Sequence, residues 1–258
     1  MVTEVRGIVL RSTDIKESDR LITVYTDEMG VVSALAKGSR SMKSRKMSST
    51  QQFCYSSFVL YGVGDKLFVR EAELIESFYS LRDSLDGLAL AMYVAEVIED
   101  VATSEGDNDL LRLALNTLYA ISKGTFDLEK VKATFEIRLA AILGFMPDVV
   151  ACSRCGETKG DFFLDVMAAA MECERCHRVS ERGGDRLALD HESSILCILS
   201  EGARDAMCYS IFAPLERMFS YKISDDDMHL FSTASEKYLL NHLERSFRAL
   251  EFYNEVKR

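Results

Sequence analysis

Residues 152–176, CSRCGETKGDFFLDVMAAAMECERC, contain two Cys-x-x-Cys pairs separated by seventeen residues. Each pair presents two sulfurs from one tight turn, so the two turns together supply the four ligands of a tetrahedral thiolate site for Zn²⁺. With four protein ligands in place, no position remains for a catalytic water. The spacing therefore predicts one structural zinc ion per chain, held by Cys152, Cys155, Cys173 and Cys176.

Other readings of these cysteines remain open at this point. The pairs could be redox dithiols or unrelated buried thiols, and His177 could replace the thiolate of Cys176 beside it. Gly156 favours a metal knuckle, because a residue free to take positive φ lets backbone amides approach the sulfurs. The remaining three cysteines stand among apolar residues and are predicted to be core thiols: Cys54, Cys197 and Cys208.

Composition indicates a globular protein. The 258 residues are 48% hydrophobic and 28% charged, and they suffice for one large domain or several small ones. No stretch approaches the about 20 apolar residues of a membrane helix, and no signal-peptide pattern opens the chain. Seven cysteines, four of them with metal spacing, suit reduced thiols. We therefore expect a cytoplasmic protein without a membrane partner.

The first eighty residues have the pattern of a β domain. Short turns at 27–30 and 62–65 each join two strand candidates. Five short strands that close on themselves predict a small barrel of the oligonucleotide-binding (OB) type over residues 1–80. The candidates are rich in β-branched and aromatic residues: Val5–Leu10, Leu21–Thr26, Val31–Lys37, Phe53–Tyr61 and Leu67–Leu74.

After Leu81 the apolar residues recur at a helical period. The fold class is therefore α+β, with a five-stranded OB barrel followed by an all-α domain into which a four-cysteine zinc finger is inserted. The predicted boundaries are 81–151 for the first helical part, 152–177 for the finger and 178–258 for the second helical part.

Four helical features are predicted in detail. Asp127 should cap a helix that ends at Gly144. One face of the first helix should carry Leu81, Leu85, Leu88, Met92 and Ala95. The second helix should bury Leu111, Ala114, Leu118 and Ile121. Helical periodicity resumes from Asp190, and the last long helix should carry Tyr238, Leu239, Leu243, Phe247 and Leu250.

Charge is distributed unevenly along the chain. The formal net charge of −10 argues against a nucleic-acid binder, yet no acidic residue lies between Glu28 and Asp65. Residues 37–50, here called the basic segment, combine cations with serine, threonine and glycine, which suits contact with phosphate. It could instead be a solvated loop that keeps a strand edge soluble. The candidate DNA-binding residues are Lys37, Arg40, Lys43, Arg45 and Lys46.

Stacking on bases would fall to phenylalanine or tyrosine, because the chain has no tryptophan. Most of the aromatic residues in the strand candidates alternate inward and are predicted to be core, so no stacking residue is assigned. Those available are Tyr25, Phe53, Tyr55, Phe58 and Phe68.

Known enzyme signatures are missing from the sequence. It has no phosphate-binding Gly-x-x-x-x-Gly-Lys loop, no His-Glu-x-x-His helix and no Gly-x-Ser-x-Gly elbow. Ala151 and Glu172 precede the two knuckles, where a zinc deaminase would need other residues. We therefore predict a protein that is not an enzyme.

Several motifs together resemble the bacterial recombination mediator family RecO. They are Lys37-Gly-Ser-Arg, Ala91-Met-Tyr-Val-Ala-Glu-Val, and Phe135-Glu-Ile-Arg-Leu-Ala-Ala-Ile-Leu-Gly-Phe-Met-Pro leading into Cys152-x-x-Cys155-Gly. The last succession is the most specific, and the resemblance covers nearly the whole chain. The spacer 161–170 is less glycine-rich than the family pattern, which bears on the shape of the finger.

The resemblance implies a non-enzymatic DNA repair protein. Such a protein binds single- and double-stranded DNA, anneals complementary strands, and works with RecR and the C-terminal tail of single-stranded DNA-binding protein (SSB) to let RecA load. By position, the five cations of the basic segment take the DNA-contact role and the four cysteines take the zinc. The alternative is a zinc-stabilised protein-interaction adaptor with little DNA affinity.

Overall fold

The computed structural model describes residues 2–181 and 195–257. The described chain divides into two compact units, one formed by Met1–Thr125 with Phe247–Arg258 and the other by Phe126–Ser246. The predicted domain boundaries, which place the first division near residue 80, stay a prediction. Within the described residues, no helix combines the length and the apolar composition needed to cross a bilayer.

The first unit begins with a closed five-stranded barrel in the order β1-β2-β3-β5-β4. All neighbouring strands are antiparallel except β3 and β5. The predicted OB-type barrel is thereby confirmed, and every strand candidate falls on a strand. The strands are β1 (Val2–Ile15), β2 (Asp19–Thr26), β3 (Gly30–Ala36), β4 (Cys54–Val63) and β5 (Lys66–Ser77).

Strand β1 is much longer than the predicted Val5–Leu10, because it pairs with two neighbouring strands. Its first half pairs with β4 and its second half with β2, and the register shifts between Val9 and Arg11. A bulge of this kind bends a strand and increases its twist, which lets one strand join both sides of a closed barrel.

The barrel has its own apolar core, built by alternation along each strand. Val9, Ile22, Val24 and Phe58 are at most 2% exposed. The β2–β3 turn needs glycine at Gly30, whose φ is 58° and where a Cβ would lie 1.9 Å from the carbonyl oxygen of Thr103. This turn therefore packs closely on the loop that follows the first helix.

Three helices complete the first unit: α1 (Leu85–Val101), α2 (Asn108–Lys123) and α7 (Arg248–Val256). The side chain of Ser84 caps α1, and that of Asp107 caps α2. The face predicted for α2 is confirmed, since its four residues are at most 7% exposed. The face predicted for α1 is wrong in part: Leu85 is 59% exposed and Met92 41% exposed. Helix α1 packs against both α2 and α7, so burial extends around most of its surface.

The single long helix predicted near the end of the chain is wrong. Glu244 adopts a left-handed conformation, with φ 52°, and ends helix α6 (Asp225–Leu243). Phe247 then precedes α7, which belongs to the first unit. The apolar pattern continues across the break because Tyr238 and Phe247 are each buried, but in different clusters of side chains.

The second unit combines helices with a small sheet. Helices α3 (Leu128–Ile142), α5 (Glu201–Phe212) and α6 pack around a sheet ordered β7-β6-β8. Asp127 caps α3 as predicted, by accepting the backbone N–H of Glu129. The helix ends at Ile142, two residues before the predicted Gly144.

Buried charge ties α3 to α6 inside this unit. The side chain of Lys132 is 2% exposed, and its ammonium lies 2.9 Å from a carboxylate oxygen of Glu136 and 2.7 Å from one of Glu236. Burial alone would lower the pKa of Lys132, but the two carboxylates outweigh it, and the pKa is raised. Lys132 is thus held in its charged form by the two carboxylates.

The small sheet consists of β6 (Phe162–Asp165), β7 (Ala170–Cys173) and β8 (Leu196–Leu199). Strand β8 contradicts the helical pattern predicted from Asp190 onward; Asp190 itself, like residues 182–194 in general, lies outside the described residues. A short apolar run such as Leu196-Cys-Ile-Leu199 fits strand and helix equally by periodicity, and pairing with β6 decides in favour of the strand.

Candidate metal centre and nucleic-acid interface

The four cysteines of the two Cys-x-x-Cys pairs converge at one point. Their Sγ atoms all lie within 4.8 Å of one another, and those of Cys155 and Cys173 are 3.7 Å apart. A tetrahedron with Zn–S bonds of about 2.3 Å has S–S edges of about 3.8 Å, whereas a disulfide would bring two sulfurs to about 2.0 Å. The cluster can therefore hold a metal ion, and the separation of the Cys155 and Cys173 sulfurs matches one edge of such a tetrahedron.

Backbone hydrogen bonds shape the first knuckle. The N–H of Gly156 donates to the carbonyl of Cys152 at 2.9 Å, and the N–H of Cys152 donates to the carbonyl of Glu157 at 2.8 Å. Gly156 has φ 73°, the positive value expected from the sequence. The knuckle is joined to β7 by Ser153, whose N–H donates to the carbonyl of Met171 at 2.9 Å.

The second knuckle bridges a strand and a helix. Cys173 ends β7, and Cys176 lies in α4 (Glu174–Glu181). His177 is 6% exposed, and its ring stacks on Phe163 with the ring centroids 3.9 Å apart. The cluster thus consists of four cysteines, while the neighbouring histidine packs on the sheet. The other three thiols, Cys54, Cys197 and Cys208, lie outside it and are buried or half-buried, as predicted.

The four thiols differ in how readily they ionise. The backbone N–H of Glu157 lowers the pKa of Cys155 to about 6, whereas desolvation raises the pKa of Cys176 to about 12. Four thiolates this close repel one another, so all four ionise together only when a metal ion compensates their charge. Four sulfur donors also leave no open coordination position, which is typical of a structural site.

The basic segment follows β3 and is folded back as successive turns. Asp19 accepts the N–H of Gly38 at 2.8 Å, and this hydrogen bond lowers the pKa of the Asp19 carboxyl. Arg40 forms an ion pair with Asp14 at 3.1 Å and donates to the carbonyl of Lys16 at 2.9 Å. Arg40 therefore attaches the start of the segment to the β1–β2 turn.

The other four cations of the segment are placed differently from Arg40. Lys43 and Arg45 are exposed, and within the part of the chain that the structure describes neither side chain makes an ion pair or hydrogen bond. Lys46 is half-buried and donates to the carbonyl of Val69 at 3.3 Å, and burial lowers its pKa. The ammonium of Lys37 lies 4.9 Å from the ring centroid of Phe68. Lys43 and Arg45 are thus exposed without a partner among the described residues, whereas Lys37 and Lys46 lie against β5.

The aromatic residues of the barrel divide into two groups. Tyr25, Phe53 and Phe58 are at most 1% exposed and belong to the core, as predicted. Tyr55 and Phe68 are half-buried. Phe68 stacks on Tyr61, which the sequence pattern did not single out even though it ends a predicted strand. Arg70, two positions beyond Phe68, is a further cation that lies outside the predicted set and is exposed on β5.

Two family models match the chain. The model for the N-terminal part of recombination protein O matches residues 1–78, and that for its C-terminal part matches residues 82–191. The first range contains the barrel, and the second contains the four cysteines.

Whole-length relatives carry a consistent description. "DNA repair protein RecO" of Acetivibrio thermocellus is 32% identical over 254 residues, which cover 98% of this chain and 96% of the relative. The protein of the same description from Clostridium acetobutylicum is also 32% identical, with 98% and 97% covered. That from Alkaliphilus metalliredigens is 28% identical, with 99% and 100% covered.

Proposed function

The chain belongs to the recombination protein O (RecO) family of DNA repair proteins, and we propose that it works there by binding DNA through the basic segment on its barrel. It binds single and double strands and anneals complementary single strands. It holds and aligns nucleic acid without catalysing a reaction of its own.

The observation that carries this proposal is a local reversal of charge on an OB-type barrel. The chain as a whole has a net charge of −10, but residues 29–64 contain five cations and no acidic residue. OB barrels bind oligonucleotides through one face and its flanking loops. A cation-rich segment beside such a face is the electrostatic footprint expected of a nucleic-acid binder.

Annealing requires both phosphate backbones to be neutralised while base edges stay free for pairing. Contacts of Lys43 and Arg45 with phosphate meet this requirement, because they are electrostatic and independent of sequence. Arg40 acts in a second way, since its bonds to Asp14 and Lys16 orient the segment that carries the other cations. The acidic remainder of the chain limits indiscriminate binding to polyanions.

The four-cysteine cluster has a structural role in this proposal. It binds one Zn²⁺ per chain through Cys152, Cys155, Cys173 and Cys176, and the ion joins the loop after α3 to β7 and α4. Four sulfur donors at tetrahedral spacing support zinc over metals that prefer oxygen ligands or square-planar geometry.

Membership of the family supports a proposal about partners. We propose that the protein acts with RecR and with the C-terminal tail of SSB, and that it affects RecA indirectly by making SSB-covered DNA available to it. With these proposed partners, it would act in the cytoplasm, at the nucleoid.

The proposed DNA contact is tested by measuring DNA binding by fluorescence anisotropy at a series of salt concentrations. The natural chain should bind a labelled single strand with a slope of log K against log salt of about −2 to −3.5, as contacts with about three to five phosphates predict. Changing Lys37, Lys43, Arg45 and Lys46 to alanine should remove most of the binding and most of the slope, while Arg40 is kept because it supports the segment.

The matched control removes charge elsewhere. Lys123 and Lys222 are exposed lysines outside the basic segment, and Lys123→Ala/Lys222→Ala should leave the slope unchanged. Equal binding by the four-alanine variant and the natural chain would assign the DNA contact to another surface. Negligible binding by the natural chain at physiological salt would favour the adaptor hypothesis instead.

A further inference from the structure

The basic segment carries six hydroxyl side chains, and three of them belong to the interior. Ser39, Ser49 and Thr50 are fully buried. The Oγ of Ser49 donates to the carbonyl of Ala72 at 3.3 Å, and the Oγ1 of Thr50 donates to the carbonyl of Lys46 at 2.7 Å. These three hydroxyls are therefore out of reach of another protein while the segment stays folded.

The other three hydroxyls lie nearer the surface and differ in their neighbours. Ser44 is half-buried. Ser41 is exposed, but the residues two and three positions before it are uncharged. Ser48 is exposed, and Arg45 and Lys46 stand three and two positions before it. Among the hydroxyls of the basic segment, Ser48 alone combines exposure with two preceding cations.

This arrangement of charge is one that an enzyme can read. Protein kinases that modify serine choose their substrates partly by charge pattern, and cations shortly before the hydroxyl are a common choice. Arg45 suits this role, because its exposed side chain makes no ion pair or hydrogen bond within the described residues. Near Ser48 the backbone is closed by single turn hydrogen bonds, such as that from the N–H of Gln51 to the carbonyl of Ser48 at 3.2 Å. A turn held in this way opens more readily than a paired strand.

A small pocket beside Ser48 offers a place for an anion. Its volume is about 170 Å³, and Ser48 and Arg82 both line it. Arg82 is the only charged residue among the described residues of the lining. Its guanidinium donates to the carbonyl of Gln52 at 3.2 Å and lies 5.2 Å from the ring centroid of Tyr79. Neither contact neutralises its charge, so a phosphate on Ser48 has a cation to pair with.

We propose that Ser48 is a phosphorylation site, and that its phosphate weakens the contact of the basic segment with DNA. The inference rests on the proposed DNA-binding function and adds its regulation. In the reaction, the Oγ of Ser48 attacks the terminal phosphorus of a nucleoside triphosphate bound to a serine kinase. The new O–P bond replaces the bond to the nucleoside diphosphate, which leaves with the electron pair, and the kinase accepts the hydroxyl proton.

The phosphate opposes DNA contact in two ways. It adds about −1.5 to −2 charges at pH 7 to a segment that has five cations and no acidic residue, so it repels the DNA backbone close to Arg45. It also pairs with Arg82, which ends the short helical turn Tyr79–Arg82 after β5. A charge-assisted hydrogen bond there holds the end of the segment against this turn.

The first test measures DNA binding by protein that carries phosphoserine at position 48, installed during translation. Loss of about two phosphate contacts predicts about tenfold weaker binding of a labelled single strand at about 0.15 M salt, and a salt slope smaller by about 1.4. Ser48→Glu adds a single charge and should give an intermediate affinity. Phosphoserine at position 220, an exposed serine of the second unit, is the matched control and should change neither quantity.

The second test examines the phosphate itself. Mass spectrometry of the protein isolated from its own host, during growth and after DNA damage, should detect phosphate on Ser48 and none on the buried Ser49 and Thr50. The second ionisation of phosphoserine has a pKa of about 6, and a neighbouring guanidinium lowers it. The phosphorus resonance should therefore titrate below about pH 6, and Arg82→Gln should raise this midpoint.

The outcomes separate this inference from the proposed function. If phosphoserine at position 48 leaves DNA binding as it is in the natural chain, the inference is overturned while DNA binding stands. Host protein without phosphate on Ser48 in both conditions also overturns it. A phosphorus midpoint that Arg82→Gln does not change would remove the contact with Arg82. If the unmodified natural chain binds no DNA, the proposed function fails, and the regulation fails with it.

Discussion

The barrel and the small sheet of the second unit are both built from few strands, but different forces hold them together. The barrel closes on itself, so every strand has two neighbours, and alternate side chains fill an interior of its own. The small sheet has three strands of four residues each and remains open. Its apolar residues join a cluster supplied mainly by α3, α5 and α6.

Loops are held differently in the two regions as well. The basic segment leaves the barrel between β3 and β4 and is held by hydrogen bonds and ion pairs, such as those of Asp19 and Arg40. The two knuckles beside the small sheet bring four thiols together, and a metal ion bound by all four would link the knuckles. The closed sheet therefore carries a cation-rich loop held by polar contacts, whereas the short open sheet lies beside a cluster that can hold a metal ion.

The largest effect is expected from removing one thiol of the cluster. Cys173 is 5% exposed and ends β7. Because structural zinc contributes about 10–16 kcal/mol in small finger peptides, Cys173→Ser should cost the second unit about 5 kcal/mol or more. Elemental analysis should give about one zinc in the natural chain and far less in the variant, and hydrogen exchange of β6 and β7 should accelerate while that of β1 to β5 does not.

Cys208→Ala is the matched control for this loss. Cys208 is half-buried in the same unit and donates to the carbonyl of Val149 at 3.1 Å, so its removal should cost about 1 kcal/mol and leave zinc in place. The zinc site would be contradicted if the natural protein, grown with zinc, contained no metal and its thiols titrated freely. That result would instead favour redox dithiols.

A smaller loss, confined to the barrel, is expected from its core. Phe58 is 1% exposed, and Phe58→Ala should cost about 3–5 kcal/mol through lost burial and a cavity. Exchange in β1 to β5 should accelerate and the zinc content should stay the same, the reverse of the pattern for Cys173. Val63→Ala, at an exposed end of the same strand, should change stability by less than about 0.5 kcal/mol. Loss of zinc in Phe58→Ala would contradict independent stabilisation of the two β regions.

The smallest effect is expected from the hydrogen bond between Asp19 and Gly38. Since the hydrogen bond from Gly38 lowers the pKa of Asp19, its contribution is present above about pH 4 and disappears as the pH falls through the lower, folded pKa. The amide resonance of Gly38 should therefore titrate with a midpoint below about pH 4. Asp19→Asn should abolish this titration, and Asp65→Asn, on an exposed turn, should leave it intact. A Gly38 amide that does not respond to pH between about 2 and 5 would show that the tie is absent in solution.

The sequence predicted those features that depend on residues close together in the chain. Five strands were recognisable from β-branched and aromatic runs between glycine-containing turns, and the metal cluster from its Cys-x-x-Cys spacing. The N-cap at Asp127 is equally local, because a side-chain acceptor and the backbone it caps are two residues apart.

Features that depend on pairing between distant segments were not accessible in this way. Tyr61 and Phe68 are near one another in sequence, but their alignment with Leu35 and Leu21 is set by the register of β3 with β5 and of β2 with β3. The ion pair of Arg40 with Asp14 likewise joins the basic segment to the end of β1. Strand β8 forms because a short apolar run, whose pattern fits either a strand or a helix, pairs with the edge of β6.

The last residues of the chain return to the first unit, so that unit is completed only at the end of synthesis. Helix α7 and the residue before it supply Leu250 and Phe247, each 4% exposed, and Phe247 packs edge-on against Tyr93 of α1 with ring centroids 5.8 Å apart. The backbone N–H of Ala249 also donates to Glu96 at 2.9 Å. On the ribosome, residues 126–246 emerge before these contacts can form. The inserted unit can therefore fold while α7 has not yet packed on α1. A nascent chain stalled before residue 247 would thus expose the apolar side of α1 to chaperones.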